Sequence, residues 1–141
     1  MKLPCEIAVK SVVPAIRALL AKELTETYGL KQEKAADLLG ITQAAISKYT
    51  HHVRGRVLEI ETEKEVKLLT IKTAASLANG DLDRTALALQ ICTTCKLVRK
   101  KRLMCKLCKR VNPTLDIEHC KLCFLAPCEP VDAKEPRERT Y

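Results

Sequence analysis

The chain has 141 residues, a length that suits one domain or two small ones. Its hydrophobic content of 47% is that of a globular protein, while aromatic residues make up only 3%, which disfavours a protein that stacks single-stranded bases on rings. Twenty-five Lys and Arg against 17 Asp and Glu give a net charge of +8, which favours a polyanionic partner such as nucleic acid. Because no apolar run approaches the ~18 residues of a membrane span and the N-terminus lacks a signal-peptide pattern, we expect a cytoplasmic protein with no membrane partner.

Two prolines mark the first predicted helices. Pro4 suits the first turn of a helix, and Pro14 either kinks that helix or begins the next one, because it lacks an N–H donor. From Pro14 an apolar face continues at helical spacing to Tyr28, and Gly29 is predicted to end it. We expect these helices to form a scaffold that faces the core.

Two short helices around a glycine are predicted next. The first spans about Gln32 to Leu39, Gly40 supplies the positive φ for a sharp turn, and Thr42 caps the second. The inward face of the second helix has three members: Ala45, Ile46 and Tyr49. A small residue four positions before the glycine, Ala36, and an aliphatic residue six positions after it complete the spacing of a helix-turn-helix motif.

The outer face of the second helix favours DNA binding. A purely structural helical hairpin would also need Ala36 and Gly40, but it would not need a polar outer face. That face is formed by Thr42, Gln43, Ser47 and Lys48.

Residues 3–60 resemble the lambda-repressor-like (xenobiotic-response-element type) helix-turn-helix superfamily. Two segments resemble predicted archaeal transcriptional regulators with a cysteine-rich C-terminal half: Leu3-Pro4-Cys5-Glu6-Ile7 and Gly40-Ile41-Thr42-Gln43-Ala44-Ala45-Ile46-Ser47. The resemblance implies that the second helix of the motif reads the major groove. Gln43 then suits adenine, Ala44 a thymine methyl and Lys48 guanine or phosphate, while Gln32 meets a phosphate. The predicted contacts on these two helices are Gln32, Thr42, Gln43, Ala44, Ser47 and Lys48.

The stretch that follows the second helix is basic. Three of its side chains are predicted to contact phosphate: His52, Arg54 and Arg56. The adjacent pair His51 and His52 also suggests a metal site, but neighbouring loop residues rarely converge on one ion. Phosphate contact is therefore the preferred interpretation.

A dimerisation helix is predicted over residues 61–80. Thr62 and Glu65 have the spacing of a capping box, and Asn79-Gly80 ends the helix. The helix carries two apolar stripes, one through Val66 and Leu77 and the other through residues such as Leu68 and Ile71. Since one stripe is enough for a small core, we expect the other to pair two copies, which would read half-sites about 34 Å apart.

The cysteines are concentrated in the part of the chain after Gly80. Seven of the eight follow Asp81, whereas all four glycines lie before it, which indicates a domain boundary near Asn79-Gly80. Asp81 or Asp83 is predicted to cap a helix that runs toward Cys92. Three Cys-x-x-Cys pairs and one further cysteine are predicted to be metal ligands: Cys92 and Cys95, Cys105 and Cys108, Cys120 and Cys123, and Cys128. The segment Lys96–Arg110 adds eight basic residues and no acidic one.

The identity of the metal stays open in the sequence. Two Cys-x-x-Cys pairs about ten residues apart suit a four-cysteine zinc ribbon. The segment lacks the glycine that zinc knuckles place near the second cysteine, and seven thiols do not divide into two four-thiolate sites without His119. The run from Cys120 to Cys128-Glu-Pro loosely matches iron–sulfur spacing. These features favour a [4Fe–4S] cluster slightly over Zn²⁺.

Together these features predict an all-α, lambda-repressor-like helix-turn-helix domain over residues 1–60, followed by a dimerisation helix over 61–80. A small cysteine-rich metal-binding module, mainly helical or irregular, follows over 81–128, with a flexible tail over 129–141. The expected function is that of a non-enzymatic, homodimeric transcriptional regulator that binds double-stranded DNA, and contact with the transcription machinery is a further expectation. Two alternatives use the cysteine-rich basic module instead: an RNA- or polymerase-associated zinc protein, and a redox or electron-transfer component.

Overall fold

A computed structural model describes residues 1–50 and 60–125. The described residues form α-helices and contain no β-strand, which confirms the all-α class. The helices are α1 (Pro4–Lys10), α2 (Val12–Lys22), α3 (Gln32–Leu39), α4 (Gln43–Thr50), α5 (Lys64–Ala78), α6 (Arg84–Lys100), α7 (Cys105–Val111) and α8 (Leu122–Leu125). No helix in this part of the chain is long and apolar enough to cross a membrane.

The first helices differ from the prediction in where they begin and end. Pro4 is the first residue of α1, as expected, but α2 already begins at Val12, so that Pro14 lies in its first turn. A proline is tolerated there because the N–H groups of a first turn have no partner within the helix. A π-helical turn over Glu23–Thr27 continues α2, and Gly29 follows with φ +62°. Tyr28 is exposed rather than part of the apolar face.

The predicted glycine turn between α3 and α4 is confirmed. Gly40 is left-handed, with φ +65° and ψ +32°, and the N–H of Ile41 donates to the carbonyl of Ala36 at 3.0 Å. Thr42 caps α4 through its hydroxyl, which accepts a hydrogen bond from the N–H of Ala45 at 3.1 Å. The chain therefore reverses between two helices that contact each other.

Helix α5 begins later than the sequence suggests. The predicted capping box at Thr62 is wrong, because Ile60–Thr62 forms a 3-10 turn and the helix starts at Lys64, with Glu63 as the extended residue before it. The predicted end is confirmed: Asn79 follows the last helical residue and Gly80 has φ +77°.

One core joins the two halves of the chain. Helix α2 lies at its centre and contacts α1, α3, α4, α5 and α6. Asp83 caps α6 as predicted, but α6 runs on through Cys92 and Cys95 to Lys100 instead of ending at the cysteines. Buried side chains from Ile7 to Cys108 belong to a single cluster. The change in composition near Asn79-Gly80 falls at the turn between α5 and α6.

Candidate nucleic-acid interface and thiol centre

Helix α4 has one buried and one exposed face. Ile46 is 0% exposed and Tyr49 is buried, and α4 contacts α2 and α3. The residues predicted to meet DNA lie on the other side: Thr42, Gln43, Ala44 and Lys48 are exposed, and Ser47 is half-buried. Gln32, the first residue of α3, is also half-buried. The structure thus leaves four of the six helical contact residues open to solvent.

Four of the predicted site residues lie outside the described part of the chain. They are His52, Arg54, Arg56 and Cys128. Their predicted roles in phosphate contact and metal binding therefore stay predictions.

Some cations of the basic run Lys96–Arg110 make contacts within the protein. Lys101 bridges two helices, since its Nζ lies 3.0 Å from a carboxylate oxygen of Glu63 and 3.0 Å from one of Glu65. This hydrogen bond holds the pKa of Glu63 below, and the pKa of Lys101 above, their ordinary values. Lys109 donates to the carbonyl of Leu115 at 2.9 Å.

Arg102 has a similar internal role. Its backbone lies in the left-handed region, with φ +63°, where a non-glycine residue is uncommon. Its guanidinium donates to the carbonyls of Ile117 and Glu118. Arg102 therefore ties the loop that carries the third cysteine pair to the end of α6. Three cations of the run, Lys101, Arg102 and Lys109, are less available to phosphate than the sequence suggests.

Two Cys-x-x-Cys pairs converge on one cavity. Cys105 begins α7, Cys108 lies one turn later, Cys120 precedes α8 and Cys123 lies within it. All four border a cavity of about 20 Å³, which is otherwise lined mainly by apolar side chains including Pro4, Ile7 and Leu115. Burial raises the pKa of the Cys108 thiol, and its neighbours Cys123, Cys105 and Cys120 raise it further.

The remaining predicted pair lies elsewhere. Cys92 and Cys95 are one turn apart on α6, and Cys95 is buried while Cys92 is exposed. Arg99 lies one turn further and donates from Nη1 to the sulfur of Cys5 at 3.5 Å. Burial raises the pKa of Cys95, whereas the positive charge of Arg99 lowers it. Cys5, to which the sequence assigns no role, therefore lies near this pair. Cys5 and Arg99 are 94 positions apart, so no local sequence pattern predicts their contact.

Thiol groups are suitable ligands for a thiophilic ion, but the side chains as oriented do not surround an ion site. Among the described residues, no three His, Cys, Asp or Glu side chains lie close enough to hold a metal ion together. The cavity has about the volume of one water molecule. Zn–S bonds of about 2.3 Å would require the thiol side chains to turn inward around a single ion. The His119 side chain pairs with a carboxylate: its Nδ1 lies 2.8 Å from Oδ2 of Asp116.

Comparisons with protein-family models, curated proteins and solved structures gave no match for this chain. Function is therefore inferred from the two features described above. These are the open face of α4 and the thiol groups around α6, α7 and α8.

Proposed function

We propose that the protein is a sequence-specific, double-stranded DNA-binding transcriptional regulator in which α3 and α4 act as a helix-turn-helix unit. The observation that carries this proposal is that α4 has one buried face and one exposed face. Ile46 and Tyr49 anchor the helix in the core, whereas Gln43, Ala44 and Lys48 are exposed and can reach a partner. A helix fits the major groove, where base edges present a distinct pattern for each base pair.

Each exposed side chain suits a different part of the duplex. The Gln43 amide has a donor and an acceptor, which match the N7 and N6 of adenine, and the Ala44 methyl suits the methyl of thymine. Lys48, one turn further along α4, carries a charge for guanine or phosphate. Base contacts provide specificity and the charge provides affinity that falls with salt.

We further propose that Cys105, Cys108, Cys120 and Cys123 hold one thiolate-bound metal centre. The donor set is soft and the cavity is small enough for a single ion, so we prefer Zn²⁺ here to the [4Fe–4S] cluster that the sequence favours slightly. A bound Zn²⁺ would supply a structural cross-link. Its ligands would then tie α7 to the segment that leads into α8.

A pair of substitutions tests the DNA-binding proposal. After duplexes are selected from a random pool with the full-length protein, binding of the selected duplex is measured by fluorescence anisotropy over a range of salt concentrations. Gln43→Ala should lower discrimination against a mismatched site by about 1–3 kcal/mol with little change in salt slope. Lys48→Ala should weaken all duplexes and reduce the slope by about one.

Lys10→Ala is the matched control, because it removes one exposed charge from α1 rather than from α4. If Gln43→Ala and Lys48→Ala bind the selected duplex as the control does, the proposal is wrong. Tight binding to RNA that neither substitution changes would instead support the RNA-associated alternative. Zinc content, measured separately, tests the thiol centre.

A further inference from the structure

We infer that Arg84, the first residue of α6, contacts a DNA phosphate beside the major groove and so brings the C-terminal half of the chain into the duplex interface. The inference rests on the proposed function and deepens it, because it adds a contact that lies outside α3 and α4. The DNA contacts predicted from the sequence end at Arg56. Arg84 belongs instead to the segment that the sequence assigns to the cysteine-rich module.

The Arg84 side chain lies against the turn between α3 and α4. A Cβ added at Gly40 would be 3.9 Å from Cζ of Arg84 and 4.0 Å from its Nε. Helices α3 and α6 also contact each other. Thr42 caps α4 and Gln43 is its first residue, so both follow Gly40 closely. The charge of Arg84 therefore lies beside the end of α4 that is proposed to enter the groove.

The turn between α5 and α6 fixes the position of Arg84. The Asp81 N–H donates to the carbonyl of Ser76 at 2.9 Å, where the chain reverses after α5. Asp83 then caps α6, because its Oδ1 accepts a hydrogen bond from the Ala86 N–H at 2.7 Å. Arg84 is thus held at the first position of a helix of 17 residues. A contact residue on a rigid helix is positioned more accurately than one on a loop.

The charge of Arg84 is open to an anion from solvent. Its side chain is exposed, and no carboxylate in residues 1–50 and 60–125 forms an ion pair with it. This holds for the acidic residues nearest in sequence to Arg84 and to the glycine turn, which are Asp37, Asp81 and Asp83. A cation at the N-terminus of a helix also opposes the helix dipole, so the charge of Arg84 does not stabilise α6, whereas a bound anion would be favoured there.

A phosphate of the duplex backbone suits this position. Two phosphate backbones border the major groove, which is about 12 Å wide, so a cation beside the end of α4 lies close to one of them. A guanidinium presents parallel N–H donors that can bind two phosphate oxygens at once. Such a contact reads no base, but it fixes the register and orientation of the protein on the duplex. Arg84 would therefore help to position Gln43 for base contact.

Salt-dependent binding of the selected duplex by the full-length protein tests this inference. Arg84→Ala should weaken the selected duplex and a mismatched duplex by the same factor and reduce the salt slope by about one. Arg84→Lys keeps the charge and should restore the slope. Arg110→Ala, which removes an arginine from an exposed position on α7, is the matched control and should bind as the wild type does. An equal loss in Arg110→Ala, or an unchanged slope in Arg84→Ala, would overturn the inference.

Neutral phosphates in the duplex test the contact directly. A methylphosphonate is placed at each backbone position of the selected duplex in turn, and one position should weaken binding of the wild type but not of Arg84→Ala. If every methylphosphonate weakens both proteins equally, Arg84 contacts no phosphate and the inference is wrong. The proposed function is tested separately by Gln43→Ala. If that variant loses discrimination while Arg84→Ala binds as the wild type does, the inference fails and the proposed function stands.

Discussion

Arg99 donates a hydrogen bond from Nη1 to the sulfur of Cys5 at 3.5 Å, across 94 positions of sequence. The charge of the same guanidinium opposes the rise in pKa of Cys95 and of Cys108. Arg99 is therefore close enough to both thiol groups to affect their ionisation. Its hydrogen bond links α6 to α1.

Arg99→Ala should destabilise the fold. The substitution removes a charged hydrogen-bond donor and the buried stem of the side chain, so we expect a loss of about 2 kcal/mol in the free energy of unfolding. Urea denaturation followed by circular dichroism measures it. Arg110→Ala, at an exposed position on α7, is the control and should change stability by less than about 0.5 kcal/mol. Equal midpoints for the two variants would contradict the role of Arg99.

Gly40→Ala should destabilise the turn between α3 and α4. A Cβ at this position would have its nearest neighbour at 3.9 Å, in the Arg84 side chain, so the cost comes from the backbone and not from a clash. With φ at +65°, we expect a loss of about 1–2 kcal/mol in the free energy of unfolding. Gly40→Asn should cost less, since Asn tolerates this conformation better. Thermal or urea unfolding that ranks Asn below Ala would be inconsistent with the left-handed turn.

The ion pair between Glu63 and Lys101 should stabilise the protein over a wide range of pH. The pKa of Glu63 is lowered from 4.5 by its hydrogen bond to Lys101, so its contribution is present above pH 4.5 and is lost as the pH falls through the lowered value. The pKa of Lys101 is raised from 10.5, so its contribution is present below pH 10.5 and is lost as the pH rises further.

Melting temperatures of the wild type and of Glu63→Gln, measured from acid to alkaline pH, test this linkage. The difference between them should be largest between these two limits and should shrink at both ends. Glu33→Gln, which changes an exposed carboxylate on α3, is the control. A difference that does not vary with pH would show that the ion pair does not act on stability.

The outer stripe of α5 should mediate homodimer formation. Leu68 is 52% exposed and Ile71 is also exposed, while Val66 and Leu77 on the opposite stripe are buried. Leu68→Lys combined with Ile71→Lys should therefore give a monomer in sedimentation analysis, because the charges oppose burial in a dimer. Val9→Lys, at an exposed position on α1, should leave the oligomeric state unchanged. A monomeric wild type at micromolar concentration, with and without DNA, would contradict the dimer.

Local patterns were sufficient to predict the pair α3 and α4. The positive φ of Gly40, the Thr42 cap and the burial of Ile46 all depend on residues within a few positions of one another. The start of α5 was predicted less well. The sequence suggests a capping box at Thr62, but Ile60–Thr62 forms a 3-10 turn with no recognisable sequence signal, and the helix begins at Lys64. Ile60, the first residue of that turn, is buried in the core.

By itself the sequence determined the helical class, the glycine turn and the presence of Cys-x-x-Cys pairs, since each is a matter of short-range spacing and backbone preference. Only the tertiary structure decided how the cysteines are grouped and what the basic run contacts. Those groupings join residues far apart in sequence, such as Cys5 with Arg99 and Lys2 with Asn112. Such contacts form only when α1 packs beside α6 and α7, and no local propensity encodes that packing.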